Sequence, residues 1–531
     1  MIDLNAAGPA SLERETEFCV VGAGVAGQTV ARRLAARGRR VVLVESGGLD
    51  FNREAQNLAA GESVGFDYYD LDQARLRIFG GSTAIWGGRC AALDPIDFER
   101  RPWVPHSGWP IAYAELDPYV DEAFAALGLD RMRGLAALGV SSPFDPEKID
   151  APLWTFDGRS ERFTDVAALE NQPIEIALNA TLAEIRTTPE GVVSECRFRS
   201  FRGGALTVRA KRYVLAAGGI ETPRLLLAAA PDRPEGLGNG HDLVGRFFME
   251  HPHARGGEIA PAAPTAEGYA KLLALGPRSI AHRGGVYAAA FRPAEAAQRA
   301  RGALNTAATF FTCRREGEPD AIYRRVLSTL RQEAPATKLF RRLFFRGKHF
   351  ARSTLAPLED RVAAWRLPRA GARIGIFTVI RAEQAPNPDS RVKLAEERDA
   401  LGLRRAALDW RLSAIDRDSV STLMGLFDEE LTRLGIGRAI PARWLSEPGV
   451  MWKPDPLVST HPIAGYHHMG TTRMAATPRE GVTDANCRVF ESPNLYIAGS
   501  SLFPTSGWAN PTITILALAM RLGDHLATKA D

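Results

Sequence analysis

At 531 residues the chain has room for several domains of ordinary size or for two large interleaved ones. Hydrophobic residues make up 45% and charged residues 24%, which excludes wholesale disorder, and a net charge of +4 gives no electrostatic reason to expect a nucleic acid partner. Five scattered cysteines without a Cys-x-x-Cys pair exclude a disulfide framework, a zinc ribbon and an iron–sulfur site. No run reaches the ~18 apolar residues of a membrane span, and the opening MIDLNAAGPASLERETE has no signal-peptide pattern, so a cytoplasmic location is expected.

The first strong pattern is EFCVVGAGVAGQTVARRLAARGRRVVLVES. Phe18 to Val21 predicts a buried strand, and Gly22, Gly24 and Gly27 follow in G-x-G-x-x-G spacing. Ala26, Val30 and Leu34 recur as a helical stripe that stops at Gly38, and Val41 to Val44 predicts a second strand ending at Glu45. In such a βαβ unit Gly22 allows the tight turn, Gly24 lets a pyrophosphate approach, and Gly27 lets the helix sit close to the strand. The helix N-terminus favours phosphate, and Glu45, 18 residues after Gly27, is placed to accept from a ribose diol. The fingerprint itself is shared by NAD and FAD.

Residues 77–90, RIFGGSTAIWGGRC, predict a loop whose glycines let the backbone lie against a flat ligand. IEIALNATLAEIR (174–186) and the alternating stretch to Val208 predict a small β-meander. RYVLAAGGIETPRLLL (212–227) then predicts a strand, a Gly218–Gly219 turn and a helix starting at Thr222–Pro223. The fold class is therefore α/β, α+β overall: a Rossmann-like dinucleotide-binding domain of discontinuous segments and a substrate domain with a mainly antiparallel sheet and helices. The expected division is 15–100, 165–254 and 455–531 for the first, and 101–164 with 255–454 for the second.

Between about 255 and 450 the glycine signatures stop. Residues 321–369 carry 12 Lys/Arg against 3 acids with Leu and Phe interspersed. This basic insertion reads as a solvated helical segment, a membrane-surface or protein-docking helix, or a lid over an anionic substrate. Downstream, GYHHMGTTRM (465–474) holds His467 and His468. Adjacent side chains in an extended segment point apart, so at most one faces a given site, where a neutral imidazole suits accepting a hydroxyl proton. By residue type and spacing the pair fits a catalytic or a structural role equally. No cluster at ligand spacing suggests a metal. Asn494 to Ala498 predicts a strand, Gly499-Ser500-Ser501 a turn, and Asn510-Pro511 the start of a helix running to about Leu526.

GAGVAG with Glu45, GGSTAIWGG, AAGGIETPRLLL, EQAPNPDSRVKL (383–394) and HHMGTTRM…NLYIAGSSLFPTSGWANPT together resemble the glucose–methanol–choline (GMC) flavoprotein oxidoreductases, in family order from residue 18 to residue 526. Residues of roughly 255–380 match no recognised pattern. The resemblance implies FAD, with His467 as catalytic base and Asn510 as its partner, a His–Asn pair as in pyranose oxidase and cholesterol oxidase. It places FAD against Gly22, Gly24, Gly27, Glu45, Gly80, Gly81, Ser82, Trp86, Leu182 (adenine), Ala217, Gly218, Gly499, Ser500, Asn510 and Thr512. Ile85 stands where some relatives carry a flavin-linked histidine, which implies non-covalent FAD.

The implied activity is oxidation of a CH–OH group of a sugar, glycoside or polyol by proton abstraction and hydride transfer to flavin. Oxygen, a quinone or a redox protein would be the electron acceptor. Oxidation of a hydrophobic alcohol or sterol is the alternative, with Trp508 and the Phe-rich insertion lining the pocket. A non-redox lyase or decarboxylase on the same scaffold, or a non-catalytic flavin-binding protein, are further readings.

Overall fold

The computed structural model describes residues 1–158, 162–276, 279–316, 343, 347, 356–370, 373–457 and 461–528. Most of the basic insertion 321–369 lies outside the described residues. Among those that are described, no helix is long and apolar enough to cross a membrane.

The Val-rich segment Val41–Val44 and the second half of Ser11–Val21 are buried, as strands covered on both faces must be. They lie at the centre of an eight-stranded sheet. Its order is Ile2–Asp3, Ile174–Leu178, Val41–Val44, Ser11–Val21, Ala205–Leu215, Val193–Arg199 and Thr181–Thr187. The first five run parallel and the last two pair antiparallel; the meander expected from residue 174 begins only at Thr181, because Ile174–Leu178 joins the parallel strands. Ala205–Leu215 is long enough to change partner along one edge. Residues 205–208 pair with Val193–Arg199, whereas Tyr213 to Leu215 pair in parallel with Leu495–Ile497. That exchange brings the C-terminal segment to the same end of the sheet as the Gly22 turn.

The helix Val25–Ala35 packs against the C-terminal helix Thr512–Thr528. A β-carbon at Gly523 would lie 2.7 Å from the Arg33 side chain, whose guanidinium donates to both oxygens of Asp524 at 2.8 Å. The helix Tyr113–Ala126 also lies on the C-terminal helix, through Leu116, Val120 and Phe124. The stretch 101–164, read from the sequence as substrate domain, therefore divides. Tyr113–Ala126 joins the dinucleotide-type core, and Leu153–Phe156 joins a small sheet with Arg89–Cys90, Gly285–Ala289 and Ile280–His282.

A separate antiparallel sheet orders Ala307–Arg314, Ile374–Arg381, His253–Pro261 and Gly437–Pro441. The helix Ala414–Arg433 joins its core through Val420, Leu423, Met424 and Phe427, against Ile259, Ile376 and Ile380.

One boundary differs from expectation. The helix expected at Thr222–Pro223 begins at Gly218 and places Pro223 in its interior. Proline has no N–H to give the carbonyl four residues back, which is that of Gly219. The Thr471 hydroxyl supplies the missing donor, at 2.6 Å from Gly219 O. A distant side chain thus permits a helix that local sequence rules would start later.

Candidate active site

The glycine turn after Ser11–Val21 separates packing from ligand roles. A β-carbon at Gly27 would lie 1.9 Å from Gly22 O, and one at Gly22 would lie 2.6 Å from Ala216 O. Both are glycine because backbone occupies the space. A β-carbon at Gly24 would meet nothing within 4 Å, although the residues around it are largely buried. Gly218 (φ +83°) and Gly499 (φ +130°) face open space in the same way. Three glycines from distant parts of the chain thus border space that the protein itself leaves unfilled, the form of cradle a dinucleotide needs.

Glu45 is buried at the end of its strand. Its Oε2 accepts from Ala23 N–H and its Oε1 from Gly47 N–H, each at 2.9 Å. Burial raises its pKa and these two donors oppose the rise. Oε1 also accepts from Ser46 Oγ at 3.2 Å, so it is Oε2 that keeps a second lone pair for a sugar hydroxyl. Ala180 N–H donates to Glu45 O at 3.0 Å, which brings the start of Thr181–Thr187 beside the acid. Leu182, two residues on, buries its side chain in the core.

The 77–90 loop folds over the turn. Gly80 N–H donates to Ala23 O at 2.9 Å, and a β-carbon at Gly81 would lie 3.2 Å from Gly24 Cα. Gly80 itself packs against Phe163 and Thr164. Ser82 is exposed and accepts from Leu76 N–H at 3.2 Å, Trp86 is half-buried, and Ile85 is 38% exposed. Buried Glu221 ties this loop to the Gly218–Ala228 helix. Its carboxylate faces Arg77 at 3.0 Å, Arg75 at 3.3 Å and Arg224 at 2.8 Å. Those cations hold it well below the usual carboxylate range despite burial.

Contacts run unbroken from cradle to histidines. Ala217 and Gly218 follow the Gly22 contact at Ala216, and a β-carbon at Gly219 would lie 2.3 Å from His468 O. The same carbonyl accepts from Ser500 Oγ at 2.6 Å. Thr512 is half-buried at the start of the C-terminal helix, and Ile515 N–H donates to Pro511 O at 2.8 Å, so the first turn opens at Pro511 as expected.

His467 and His468 point to different partners. His468 Nε2 lies 2.9 Å from Tyr68 Oη, which donates to Glu250 Oε1 at 2.5 Å. His467 Nε2 lies 3.0 Å from Asn510 Nδ2, and its Nδ1 lies 2.8 Å from Nδ1 of His251. Met249 and Met469 exchange backbone hydrogen bonds at 3.0 Å, and the two imidazoles sit two residues further along these antiparallel segments. Glu250 pins both backbones by accepting His251 N–H and His467 N–H at 2.7 Å each.

Burial first, then neighbouring imidazoles and Arg89, hold His467 well below its ordinary 6.5, so it is neutral at neutral pH. Burial brings His251 down to about 4 and His468 to about 3. His251, Glu250 and Tyr68 are absent from the sequence-derived site. The signal for the first two was the run Met249-Glu-His-Pro-His253, which sets an acid and two imidazoles at the edge of a strand.

Comparison with known proteins finds flavoprotein oxidoreductases. A family model described as FAD dependent oxidoreductase matches residues 17–238, and one described as GMC oxidoreductase matches residues 386–519. The chain is 26% identical to a 2-methyl-1,2-propanediol dehydrogenase of Mycolicibacterium austroafricanum, over 97% of this chain and 96% of that one. It is 25% identical to a 6'''-hydroxyparomomycin C oxidase of Streptomyces lividus, over 98% and 93%. Among solved structures, pyridoxine 4-oxidase from Mesorbium loti shares the fold, with a TM-score of 0.54 at 18% identity over 96% of this chain and 99% of that one.

Proposed function

We propose that this chain, an FAD-dependent oxidoreductase with a GMC oxidoreductase C-terminal domain that acts on CH–OH groups, oxidises a polyol, sugar or glycoside with His467 as base and Asn510 as its partner. The observation that carries the reading is the 3.0 Å approach of His467 Nε2 to Asn510 Nδ2 at the end of the glycine-lined cradle.

FAD fits that cradle. Gly24, Gly218 and Gly499 would border it, Glu45 would take the ribose diol, and Ile85 offers no nucleophile for a covalent link, so the cofactor is held non-covalently. Held there, FAD would supply the two-electron acceptor for a hydride leaving the substrate carbon. The chain's own residues handle the proton. A substrate hydroxyl placed between the two side chains gives its proton to neutral His467 Nε2. The Asn510 amide donates to the same oxygen, opposing the negative charge that develops there and fixing its direction. The positive end of the C-terminal helix, opening at Pro511, would favour negative charge on a group held beside it.

A polar substrate is favoured over a sterol. Trp508, two residues before Asn510, is buried with its Nε1 donating to Asp94 Oδ2 at 2.7 Å, and Arg292 lies 5.5 Å from its ring. The test is anaerobic mixing of FAD-loaded enzyme with diols, sugars, glycosides, sterols and aliphatic alcohols. Bleaching of the oxidised flavin by polyols or sugars supports the reading, and peroxide formation in air then separates oxygen from a quinone or redox protein as acceptor. Turnover without bleaching contradicts it and points to a lyase.

A further inference from the structure

We infer that His251 is a positioning residue that fixes the tautomer of His467 and clasps it to the loop bearing Asn510; the inference rests on the reading of His467 as base. His251 Nε2 faces two carbonyl oxygens, Gly507 at 2.9 Å and Ser506 at 3.4 Å. A carbonyl can only accept, so Nε2 carries the hydrogen. A neutral imidazole has one hydrogen, and burial keeps His251 neutral, so its Nδ1 presents a lone pair.

That lone pair lies 2.8 Å from His467 Nδ1. Two lone pairs at this distance repel, so His467 must place its own hydrogen on Nδ1. Its Nε2 is then left with the lone pair, which faces the Asn510 amide and is the atom a base needs. Were His251 absent, His467 could carry its hydrogen on Nε2, with Asn510 rotated to present its oxygen. The ring would stay in place and be unable to take a proton.

The second bond gives His251 its reach. Gly507 lies three residues before Asn510, so one imidazole joins the segment carrying the base to the loop carrying its partner. Glu250, by accepting both backbone N–H groups, holds the two histidine backbones side by side so that their rings meet.

The test uses FAD-loaded enzyme labelled with 15N in its histidines, with His467 assigned by comparison with His467→Gln. The expected wild-type spectrum has His467 protonated on Nδ1. In His251→Leu the Nδ1 acceptor is gone, so the Nε2-protonated form of His467 should appear. Substrate-driven flavin reduction should fall roughly 10²-fold, the scale of losing a correctly oriented base, with little change in KM. His251→Asn can place its Oδ1 where the imidazole Nδ1 stood, and should restore the Nδ1-protonated signal and at least about tenfold of the lost rate. A wild-type His467 protonated on Nε2 overturns the inference, whatever the variants do. So does a Leu variant that keeps the wild-type tautomer, or an Asn variant no better than Leu. A His467→Ala enzyme that still reduces at full rate would instead overturn the reading of the base, a separable result.

Discussion

Gly24 and Gly27 belong to one fingerprint, yet alanine at each should fail for a different reason. At Gly27 the added methyl would sit 1.9 Å from Gly22 O, more than 1 Å inside an ordinary contact, and that oxygen is backbone, which cannot swing aside. Relief requires the Val25–Ala35 helix to move off the strand end, an overpacking cost of about 1–3 kcal/mol or more. At Gly24 the backbone (φ −74°, ψ −174°) accepts alanine, and no protein atom lies within 4 Å of the new methyl. Gly24→Ala should therefore leave the flavin-free protein within about 0.5 kcal/mol of wild type. The methyl would project into the cradle instead. The same 1–3 kcal/mol, applied to binding, weakens flavin roughly 5- to 150-fold. Thermal unfolding of apoprotein and flavin titration by fluorescence quenching measure the two effects separately. Equal destabilisation of both apoproteins, or unchanged flavin affinity in Gly24→Ala, would refute the assignment of open space to the cofactor.

Because burial holds His467 below 6.5, the rate of flavin reduction should stay level as pH falls through 6.5, where an ordinary histidine would lose half its base form; a half-loss at that pH in anaerobic stopped-flow would contradict this. Thr471→Val should cost about 1–3 kcal/mol by orphaning Gly219 O, and adding Pro223→Ala should recover much of it by restoring the helix's own donor, as denaturant melts of the single and double variants would read. Glu221→Gln should destabilise by about 3–5 kcal/mol, because Arg75 and Arg77 lose their counter-charge, while Arg224 keeps Asp399 at 2.5 Å. With its pKa depressed, Glu221 contributes stability that is present above its ordinary 4.5 and lost as pH falls below it, so the Gln penalty should shrink in acid melts.

The parts legible in the sequence are those written in short-range pattern. The Gly22–Gly27 turn, the Val41–Val44 strand and the Asn510–Pro511 helix start each depend on neighbours a few residues apart. His251 was not legible, because what gives it a role is a pairing with His467 across 216 positions, set by a two-stranded contact at Met249 and Met469. Pro223 misled for the same reason: its missing donor is replaced by Thr471, from a loop some 250 residues away. The helix Tyr113–Ala126 carries an unremarkable amphipathic stripe that fits either domain, and only the C-terminal helix decides which core it joins.

If His467 removes the substrate's hydroxyl proton, rapid anaerobic mixing of FAD-loaded His467→Ala with a substrate that bleaches the wild type should show it. The expected result is bound, yellow enzyme whose flavin is reduced at least about 10²-fold more slowly. Reduction at the wild-type rate would contradict it.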